Sequence, residues 1–167
     1  NVPVGFAVRK DIHAYADRID LSNLKCFSHI RSEKALLSLG TLGGGNHFIE
    51  LDTAKNGEVF LIVHTGSRHL GKEVAEYYMK AGQDELKDKG INDIPFEMTY
   101  LSGNLMEDYL HDLKIVEEYA ILNRKIIAAE IIKKMKWKAI EEISCSHNYV
   151  DFSGNQPILR KGAISAK

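Results

Sequence analysis

Cysteine, long apolar runs and an excess of one charge are all scarce in this sequence. Its 167 residues include two cysteines, Cys26 and Cys145, and no CxxC motif. A disulfide framework is therefore not expected, and a reducing cytoplasm is the predicted location. No segment has the apolar length needed to cross a membrane, and no signal peptide opens the chain. The formal net charge of −1 gives no global indication of nucleic-acid binding, so such a contact would need a local patch.

The composition is that of a folded globular protein. Hydrophobic residues make up 44% and charged residues 27% of the chain, which are ordinary values for such a protein. A chain of 167 residues can bury a core, so we predict a single domain over residues 1–167. The first residue is not Met and the last residues carry no clear stop, so we expect a portion of a longer protein.

The most unusual segment is the glycine-rich stretch LGTLGGGNHFIEL at residues 39–51. Its four glycines allow tight turns and close approach of the backbone to a ligand. An amide, an imidazole, an aromatic ring and a carboxylate then follow within residues 46–50. The triple glycine fits either a plain tight turn or a backbone nest for phosphate, and it matches neither GxGxxG nor a Walker A motif. We interpret this stretch as the floor of an active site.

The hydrophobic pattern of the first half predicts a strand, a helix and a hairpin. Period-two apolar residues predict a short strand near residues 2–8, and a polar start with an apolar end predicts a helix over 32–39. The alternating run 48–52, the Asn56-Gly57 dipeptide and the apolar run 58–64 predict a hairpin with a type I′ turn. The second strand is apolar on both faces and is therefore predicted to be buried. Pairing of these strands could bring His47 and His64 together.

The second half is predicted to be mainly helical. A short Gly/Ser loop precedes a helix at 72–89, an arrangement that points backbone N–H groups at an anion. Residues 105–138 lack Gly and Pro and predict a long helix, with acids near its start and lysines near its end. We interpret those lysines as a solvated turn and not as an RNA patch. A strand at 142–150 and a turn at 151–157 follow. The apolar stripe of the long helix is predicted to be Leu105, Tyr109, Leu113, Val116, Ala120, Ile127, Ile131 and Met135.

Three of the seven histidines are candidate metal ligands. His47, His64 and His147 each end or interrupt a strand-like run beside small or polar residues. Neutral imidazole is a common nitrogen ligand for Zn²⁺, Mn²⁺ or Fe²⁺, but these separations match no compact zinc motif. Metal binding therefore stays open from the pattern alone. The other histidines are interpreted as structural or surface residues: His13, His29, His69 and His111.

Further candidates are weaker when they are considered singly. Ser67 and Arg68 lie in a Gly-containing loop and suit phosphate, although a surface arginine explains them equally well. Arg160-Lys161 is a pair of adjacent cations that is usually solvated. Cys145 and His147 could form a nucleophile pair, but no third group orients them, so Cys145 is predicted to be a buried strand residue.

Five motifs in this order resemble the RtcB family of RNA-splicing ligases. They are residues 42–50 (LGGGNHFIE), 63–71 (VHTGSRHLG), 120–124 (ending in Asn-Arg), 146–150 (SHNYV) and 160–163 (RKGA). The resemblance covers nearly the whole chain, whereas the chain would cover less than half of a typical family member. It implies an α+β fold with a mixed or antiparallel β-sheet core that frames the site and long helices packed outside.

The resemblance implies an activity and a set of ligands. Such ligases join RNA 2′,3′-cyclic phosphate or 3′-phosphate ends to 5′-hydroxyl ends, using Mn²⁺ and GTP, through a GMP-histidine intermediate. By motif match, His47, His64 and His147 would bind Mn²⁺, and Arg68 with Ser67, Arg160 and Lys161 would contact phosphate or RNA. The implied nucleotide-binding residues are Asn46, His47, Phe48, Ile49, Glu50, His147 and Asn148.

Two departures from the family pattern bear on activity. The Asp-x-x-Cys metal motif of the family is absent upstream, and the Gly-rich segment with the guanylylated histidine is absent downstream. Smaller departures are Thr65, where Ser is usual, and His69, where a small residue is usual. We therefore expect no catalytic nucleophile in this chain. Three hypotheses remain: an RNA ligase represented by its central portion, a module that binds metal or nucleotide without ligating, and a metal-dependent phosphoesterase.

Overall fold

The computed structural model describes residues 2–154, 156 and 158–162, which combine helices with short antiparallel strands. The predicted α+β class is confirmed at this level. The chain divides into two compact units, Asn1–Lys136 and Trp137–Lys167. The single domain over residues 1–167 stays a prediction.

The first unit contains three α-helices and one two-stranded sheet among its described residues. Four short 3₁₀ segments accompany them, at Ala14–Arg18, Leu21–Asn23, Phe27–His29 and Phe96–Met98. The main elements in chain order are α1 (Ser32–Ser38), β1 (Phe48–Thr53), β2 (Val59–His64), α2 (Leu70–Asp88) and α3 (Gly103–Met135).

The core of this unit is helical. Helices α2 and α3 contact each other, and buried residues of the N-terminal 3₁₀ segments and α1 join them in one apolar cluster. Tyr78 of α2 and Tyr119 of α3 are both almost fully buried and donate their hydroxyls to Asp112 Oδ2 (2.8 Å) and Ala35 O (2.7 Å). In the first unit the helices, and not the sheet, therefore form the core, and a sheet core that frames the site stays a prediction.

The predicted helices are confirmed with shifted ends. The helix over 32–39 is α1, that over 72–89 is α2, which starts two residues earlier, and that over 105–138 is α3. Helix α3 ends at Met135 because Lys136 adopts a left-handed conformation with φ of 56°. Its buried row differs from the predicted stripe, sharing only Val116 and Ile127, and comprises Asp112, Val116, Tyr119, Leu122, Asn123, Ile126 and Ile127.

The N-terminal strand prediction is wrong. Residues 2–13 contain no strand, and Phe6 is fully exposed. The segment instead makes single backbone hydrogen bonds to α1 and to the loop that follows it, from Arg9 N to Leu37 O (2.9 Å) and from Leu42 N to Pro3 O (2.8 Å). Alternating apolar residues specify a strand only where a neighbouring strand edge is available for pairing.

The predicted hairpin is confirmed, but its turn and its burial differ. Strands β1 and β2 pair antiparallel, with Phe48 opposite His64 and Thr53 opposite Val59. Gly57 has positive φ (87°) whereas Asn56 does not, so the turn is the three-residue type with a final left-handed Gly and not type I′. Strand β2 contacts α3, but Val59, Phe60 and Ile62 are exposed, so the prediction of a buried strand is wrong.

The second unit contains one described two-stranded sheet. Strand β3 (Asn148–Asp151) pairs antiparallel with β4 (Ile158–Lys161). The predicted strand over 142–150 therefore begins only at Asn148, and Cys145 is exposed, contrary to its predicted burial. The predicted turn at 151–157 begins with Ser153 N donating to Asp151 Oδ1 (2.9 Å), while Asn155, Pro157 and Ala163 lie outside the described residues.

Membrane-spanning helices are not found in the described part of the chain. None of its helices combines the length and the apolar composition that a bilayer crossing needs.

Candidate functional site

The candidate site is built from two loops of the first unit. The glycine arm, residues 40–47, follows α1 and leads into β1, and the arginine arm, residues 65–69, connects β2 to α2. His47 ends the first arm, His64 directly precedes the second, and Arg68 lies within it. The hairpin thus carries one candidate residue at the start of β1 and another at the end of β2.

Sheet register brings the two histidines together. Phe48 pairs with His64 across the hairpin, so His47 lies one residue outside the sheet beside the end of β2. The imidazole centroids of His47 and His64 are 6.0 Å apart, and the Phe48 ring lies 5.0 Å from His64. The expectation that strand pairing could place the two histidines near each other is confirmed.

Gly43 lets His47 and Arg68 pack closely. A Cβ atom on Gly43 would overlap both Nδ1 of His47 and Nη1 of Arg68. Gly44, by contrast, has room for a Cβ, whose nearest neighbour would be Gly5 Cα at 3.6 Å. At Gly43 the glycine is therefore required by the approach of two side chains, whereas the predicted approach of this stretch to a ligand stays a prediction.

Arg68 is held in an uncommon backbone conformation. Its φ of 56° lies in the left-handed region that non-glycine residues seldom adopt. Nη2 of Arg68 donates to Gly5 O at 2.6 Å, which fixes the guanidinium towards the N-terminal segment. Strain of this kind costs about 1–3 kcal/mol and persists where surrounding contacts enforce it.

The arms contain buried polar atoms that lack hydrogen bonds. Among the described residues, His47 Nδ1, Arg68 Nε and Thr65 Oγ1 are buried and have no hydrogen-bond partner. Leaving such a group unpaired costs about 1–3 kcal/mol, so each calls for an explanation such as a ligand or an ordered water. Two of these three atoms belong to residues that were predicted to contact metal or phosphate.

The electrostatics of the site keep His47 neutral. Burial lowers the pKa of His47, and the electrostatic effects of Arg68 and then His64 lower it further. A neutral imidazole is the form that ligates a metal ion. Burial also lowers the pKa of the Arg68 guanidinium, with Tyr119 acting in the opposite direction.

The remaining predicted ligands of the first unit have varied surroundings. Asn46 and Glu50 are exposed, Phe48 is 40% exposed, and Ile49 is half-buried opposite Val63. Ser67 Oγ accepts a hydrogen bond from Gly71 N at 3.2 Å, so it satisfies one backbone N–H group in the first turn of α2. Contact of Ser67 with phosphate stays a prediction.

The other predicted residues lie in the second unit. His147 directly precedes β3, and Asn148 Oδ1 accepts from Gly162 N at 2.9 Å. Nε and Nη2 of Arg160 donate to Asp151 Oδ2 at 3.2 and 3.0 Å. Hydrogen bonds from Ser153, and then from Arg160, lower the pKa of Asp151 to about 2. Lys161 pairs with Asn148 in the sheet.

A complete metal cage is not seen in the described part of the chain. Within residues 2–154, 156 and 158–162, no group of three or more His, Cys, Asp or Glu side chains is arranged to hold a metal ion. His47 and His64 are two neighbouring imidazoles, which supply part of such a donor set. The metal assignment therefore stays a prediction.

The four histidines interpreted as structural have structural surroundings. His13 lies 3.4 Å from a Glu130 carboxylate oxygen, and His29 stacks on Tyr77. His69 lies 3.7 Å from a carboxylate oxygen of Glu73, and His111 Nδ1 is 3.0 Å from Asp112 Oδ1.

Several residues that organise the site were missed from the sequence. Asn123 is fully buried and hydrogen bonds both arms, and Arg9 donates to Leu39 O (2.8 Å) and Gly40 O (2.6 Å) beside them. Arg124 donates to Thr65 O at 3.2 Å. A signal was present for Asn123, because this polar residue belongs to the motif at 120–124 and falls on the predicted apolar stripe between Val116 and Ile127. Nothing in the pattern around Arg9 indicated its role.

Comparison of the sequence with known proteins identifies the family of the chain. The family described as "tRNA-splicing ligase RtcB" matches residues 2–167 of the chain. The chain belongs to the RtcB family. The resemblance drawn from the motifs is thereby confirmed, including its coverage of nearly the whole chain.

Curated RtcB proteins from bacteria and archaea are similar to this chain. It is 31% identical to the RNA-splicing ligase RtcB of Escherichia coli K12, over 77% of the chain and 36% of that protein. It is 29% identical to the tRNA-splicing ligase RtcB of Pyrobaculum aerophilum, over 77% and 30%, respectively. It is 26% identical to that of Nanoarchaeum equitans, over 95% and 39%. The chain therefore spans well under half the length of these RtcB relatives.

Proposed function

We propose that the protein that contains this chain is an RNA ligase, which joins RNA 2′,3′-cyclic phosphate or 3′-phosphate ends to 5′-hydroxyl ends with Mn²⁺ and GTP. RtcB membership and the ligase names of the relatives support the RNA ligase part. Roles in tRNA splicing or RNA repair both agree with it. For a full-length family member we also propose the RtcB-like arrangement in which a sheet frames the site.

One observation carries the proposal: Gly43 allows His47 and Arg68 to meet beside His64. Two imidazoles suit a divalent cation, and a guanidinium suits a phosphate oxygen. A phosphate end held between a metal ion and an arginine has its charge neutralised from two sides. A metal ion together with an arginine therefore suits a reaction at the phosphate end of an RNA.

The described residues fit a metal ion in part. His47 is neutral, and its buried Nδ1 lacks a hydrogen-bond partner within the described residues. His64 supplies a neighbouring imidazole, and His147 of the second unit is the proposed third nitrogen donor. A bound Mn²⁺ would supply charge neutralisation at the phosphate and orient the attacking hydroxyl.

The phosphate side of the site is assigned to Arg68. Its guanidinium is anchored by Nη2 on Gly5 O, while Nε has no partner among the described residues. That free N–H gives the planar fork one directed donor for a phosphate oxygen. Arg160 is paired with Asp151, so its contact with RNA would require exchange of that partner.

The proposed nucleotide site includes Asn46, Phe48, Ile49, Glu50, His147 and Asn148. The first four follow the glycine arm directly, where exposed polar groups alternate with apolar ones. Phe48 offers a partly exposed ring beside His64, on which a base could stack.

A binding experiment tests the metal assignment. Mn²⁺ affinity of the 167-residue chain is measured by electron paramagnetic resonance for wild type, His47→Ala and His69→Ala. His69 is the matched control because it is an exposed imidazole in the arginine arm. We expect His47→Ala to weaken binding by about tenfold or more and His69→Ala to change it little. Unchanged affinity in His47→Ala would show that the metal assignment is wrong.

An activity experiment separates the three hypotheses. The chain, and separately the natural protein that contains it, is incubated with Mn²⁺, labelled GTP and RNA with a cyclic phosphate end. Joined RNA from the natural protein supports the ligase, metal uptake without joining supports a binding module, and phosphate release without joining supports a phosphoesterase. We expect no covalent GMP adduct on the isolated chain. An adduct there would show that a nucleophile in this chain had been overlooked.

A further inference from the structure

Asn123 of α3 connects the two arms with a single side-chain amide. Its Oδ1 accepts hydrogen bonds from Gly40 N (2.7 Å) and Thr41 N (3.1 Å). Its Nδ2 donates to Thr41 O (3.2 Å) and to Gly66 O (3.0 Å). The residue is fully buried, and the amide makes all four hydrogen bonds that its two donors and two lone pairs allow.

Only an amide can form this connection. The two N–H groups at Oδ1 and the two carbonyl oxygens at Nδ2 fix the orientation of the amide. A carboxylate would keep the contacts to Gly40 N and Thr41 N but would place an oxygen against the carbonyls of Thr41 and Gly66. An apolar side chain of similar size would leave these four backbone groups without their hydrogen bonds to the amide, at a position that is fully buried.

The backbone groups that Asn123 contacts are close in sequence to the candidate ligands. Thr41 is part of the glycine arm that ends at His47, and Gly66 lies two residues from both His64 and Arg68. The next residue on the helix, Arg124, donates to Thr65 O (3.2 Å), so α3 holds the arginine arm at two successive carbonyls. Arg9 holds the glycine arm from another direction through Leu39 O and Gly40 O.

We infer that Asn123 is a positioning residue that sets the spacing of His47 relative to His64 and Arg68. The inference rests on the proposed function for the use of that spacing, since it treats these side chains as ligands of metal and phosphate. Groups that orient ligands through hydrogen bonds typically change metal affinity by about 10–100-fold when they are removed. Loss of the Asn123 hydrogen bonds would therefore move the two arms, and with them the candidate ligands, although Asn123 makes no hydrogen bond to those side chains.

Nuclear magnetic resonance of the 167-residue chain tests this role with Asn123→Asp. We expect the variant to lose the Overhauser contact between the His47 and His64 rings and to bind Mn²⁺ about tenfold more weakly. The matched control is Tyr78→Phe, which removes a buried hydrogen bond to Asp112 of α3 and touches neither arm. Tyr78→Phe should keep both the ring contact and the Mn²⁺ affinity.

Two results would overturn the inference. One is a folded Asn123→Asp chain with the ring contact and the Mn²⁺ affinity of wild type. The other is an equal loss of both in Tyr78→Phe, which would indicate general loosening of the core. Failure of the proposed function gives a different pattern: wild type binds no Mn²⁺, while Asn123→Asp still separates the rings.

Wild-type measurements decide the matter if Asn123→Asp does not fold. The side-chain amide protons of Asn123 should then show Overhauser contacts to Gly66, and the amide protons of Gly40 and Thr41 should exchange slowly with solvent. Absence of the contacts, or fast exchange at Gly40 and Thr41, would overturn the connection itself.

Discussion

The Nδ1 atom of His47 occupies the space in which a Cβ of Gly43 would lie. His47, a candidate metal ligand, and Gly43, a residue with no side chain, therefore pack directly against each other. The glycine-rich stretch is therefore more than a turn, because the His47 imidazole and the Arg68 guanidinium both pack against Gly43. This relationship can be tested with single-methyl substitutions.

Gly43→Ala is predicted to destabilise the chain and to displace His47. The added methyl group would overlap His47 Nδ1 and Arg68 Nη1, and overpacking of this kind costs about 1–3 kcal/mol. Gly44→Ala is the matched control, because a Cβ there meets only Gly5 Cα at an ordinary distance of 3.6 Å. Urea unfolding and Mn²⁺ titration of both variants provide the measurement. Equal effects of the two substitutions would contradict the packing argument.

Asp112→Asn is predicted to lower stability at neutral pH and to change its dependence on pH. Asp112 is fully buried and accepts from Lys25 N (2.8 Å), Cys26 N (3.1 Å) and Tyr78 Oη (2.8 Å). An amide in its place turns an N–H group towards some of these donors, at a cost of about 1–3 kcal/mol for each donor left unpaired.

The sign of the pH effect follows from the pKa of Asp112. Burial alone would raise that pKa, but hydrogen bonds from His111, Lys25, Tyr78 and Cys26 together hold it below its ordinary value of 3.8. The carboxylate therefore contributes stability above about pH 4, and the contribution is lost as pH falls through the lowered pKa. We expect the stability difference between wild type and Asp112→Asn to shrink on acidification. Exposed Asp84→Asn is the control, and a constant difference for Asp112→Asn would count against this role.

The two cysteines are predicted to react very differently with a thiol reagent. Cys26 is fully buried, and burial followed by interaction with Asp112 raises the pKa of its thiol to about 12. Cys145 is exposed. Because the thiolate is the reactive form, one thiol per chain should react with Ellman's reagent in the native protein, and two should react after denaturation. Cys145→Ser should abolish the native reaction, and reaction persisting in that variant would show that Cys26 is accessible.

Local sequence signals were reliable where a residue's own neighbours decide its conformation. Helices α1, α2 and α3 and the β1–β2 hairpin follow from hydrophobic period and from the Asn56-Gly57 signal. The approach of His47 to His64 also followed, because an antiparallel hairpin places the start of one strand beside the end of the other. The alternation at residues 2–8 was misleading, since no strand among the described residues pairs with that segment.

Burial and polar connections could not be predicted in the same way. The burial of β2 depends on what covers each face of the hairpin, and its apolar composition does not specify that. Asp112 and Asn123 are polar residues whose burial is possible only because backbone groups of distant segments satisfy them. These backbone partners lie more than 50 residues away in the chain, so no local pattern contains them.

The sequence by itself determined the family, the α+β class and the residue types available for the candidate site, because motifs and periodicity are properties of short segments. The tertiary structure decided how those residues meet. It brought Arg68 against His47 beneath Gly43, gave Asn123 its position between the two arms, and made the helices, not the sheet, the core of the first unit. These outcomes depend on contacts between distant segments, whose geometry is fixed only when the chain packs.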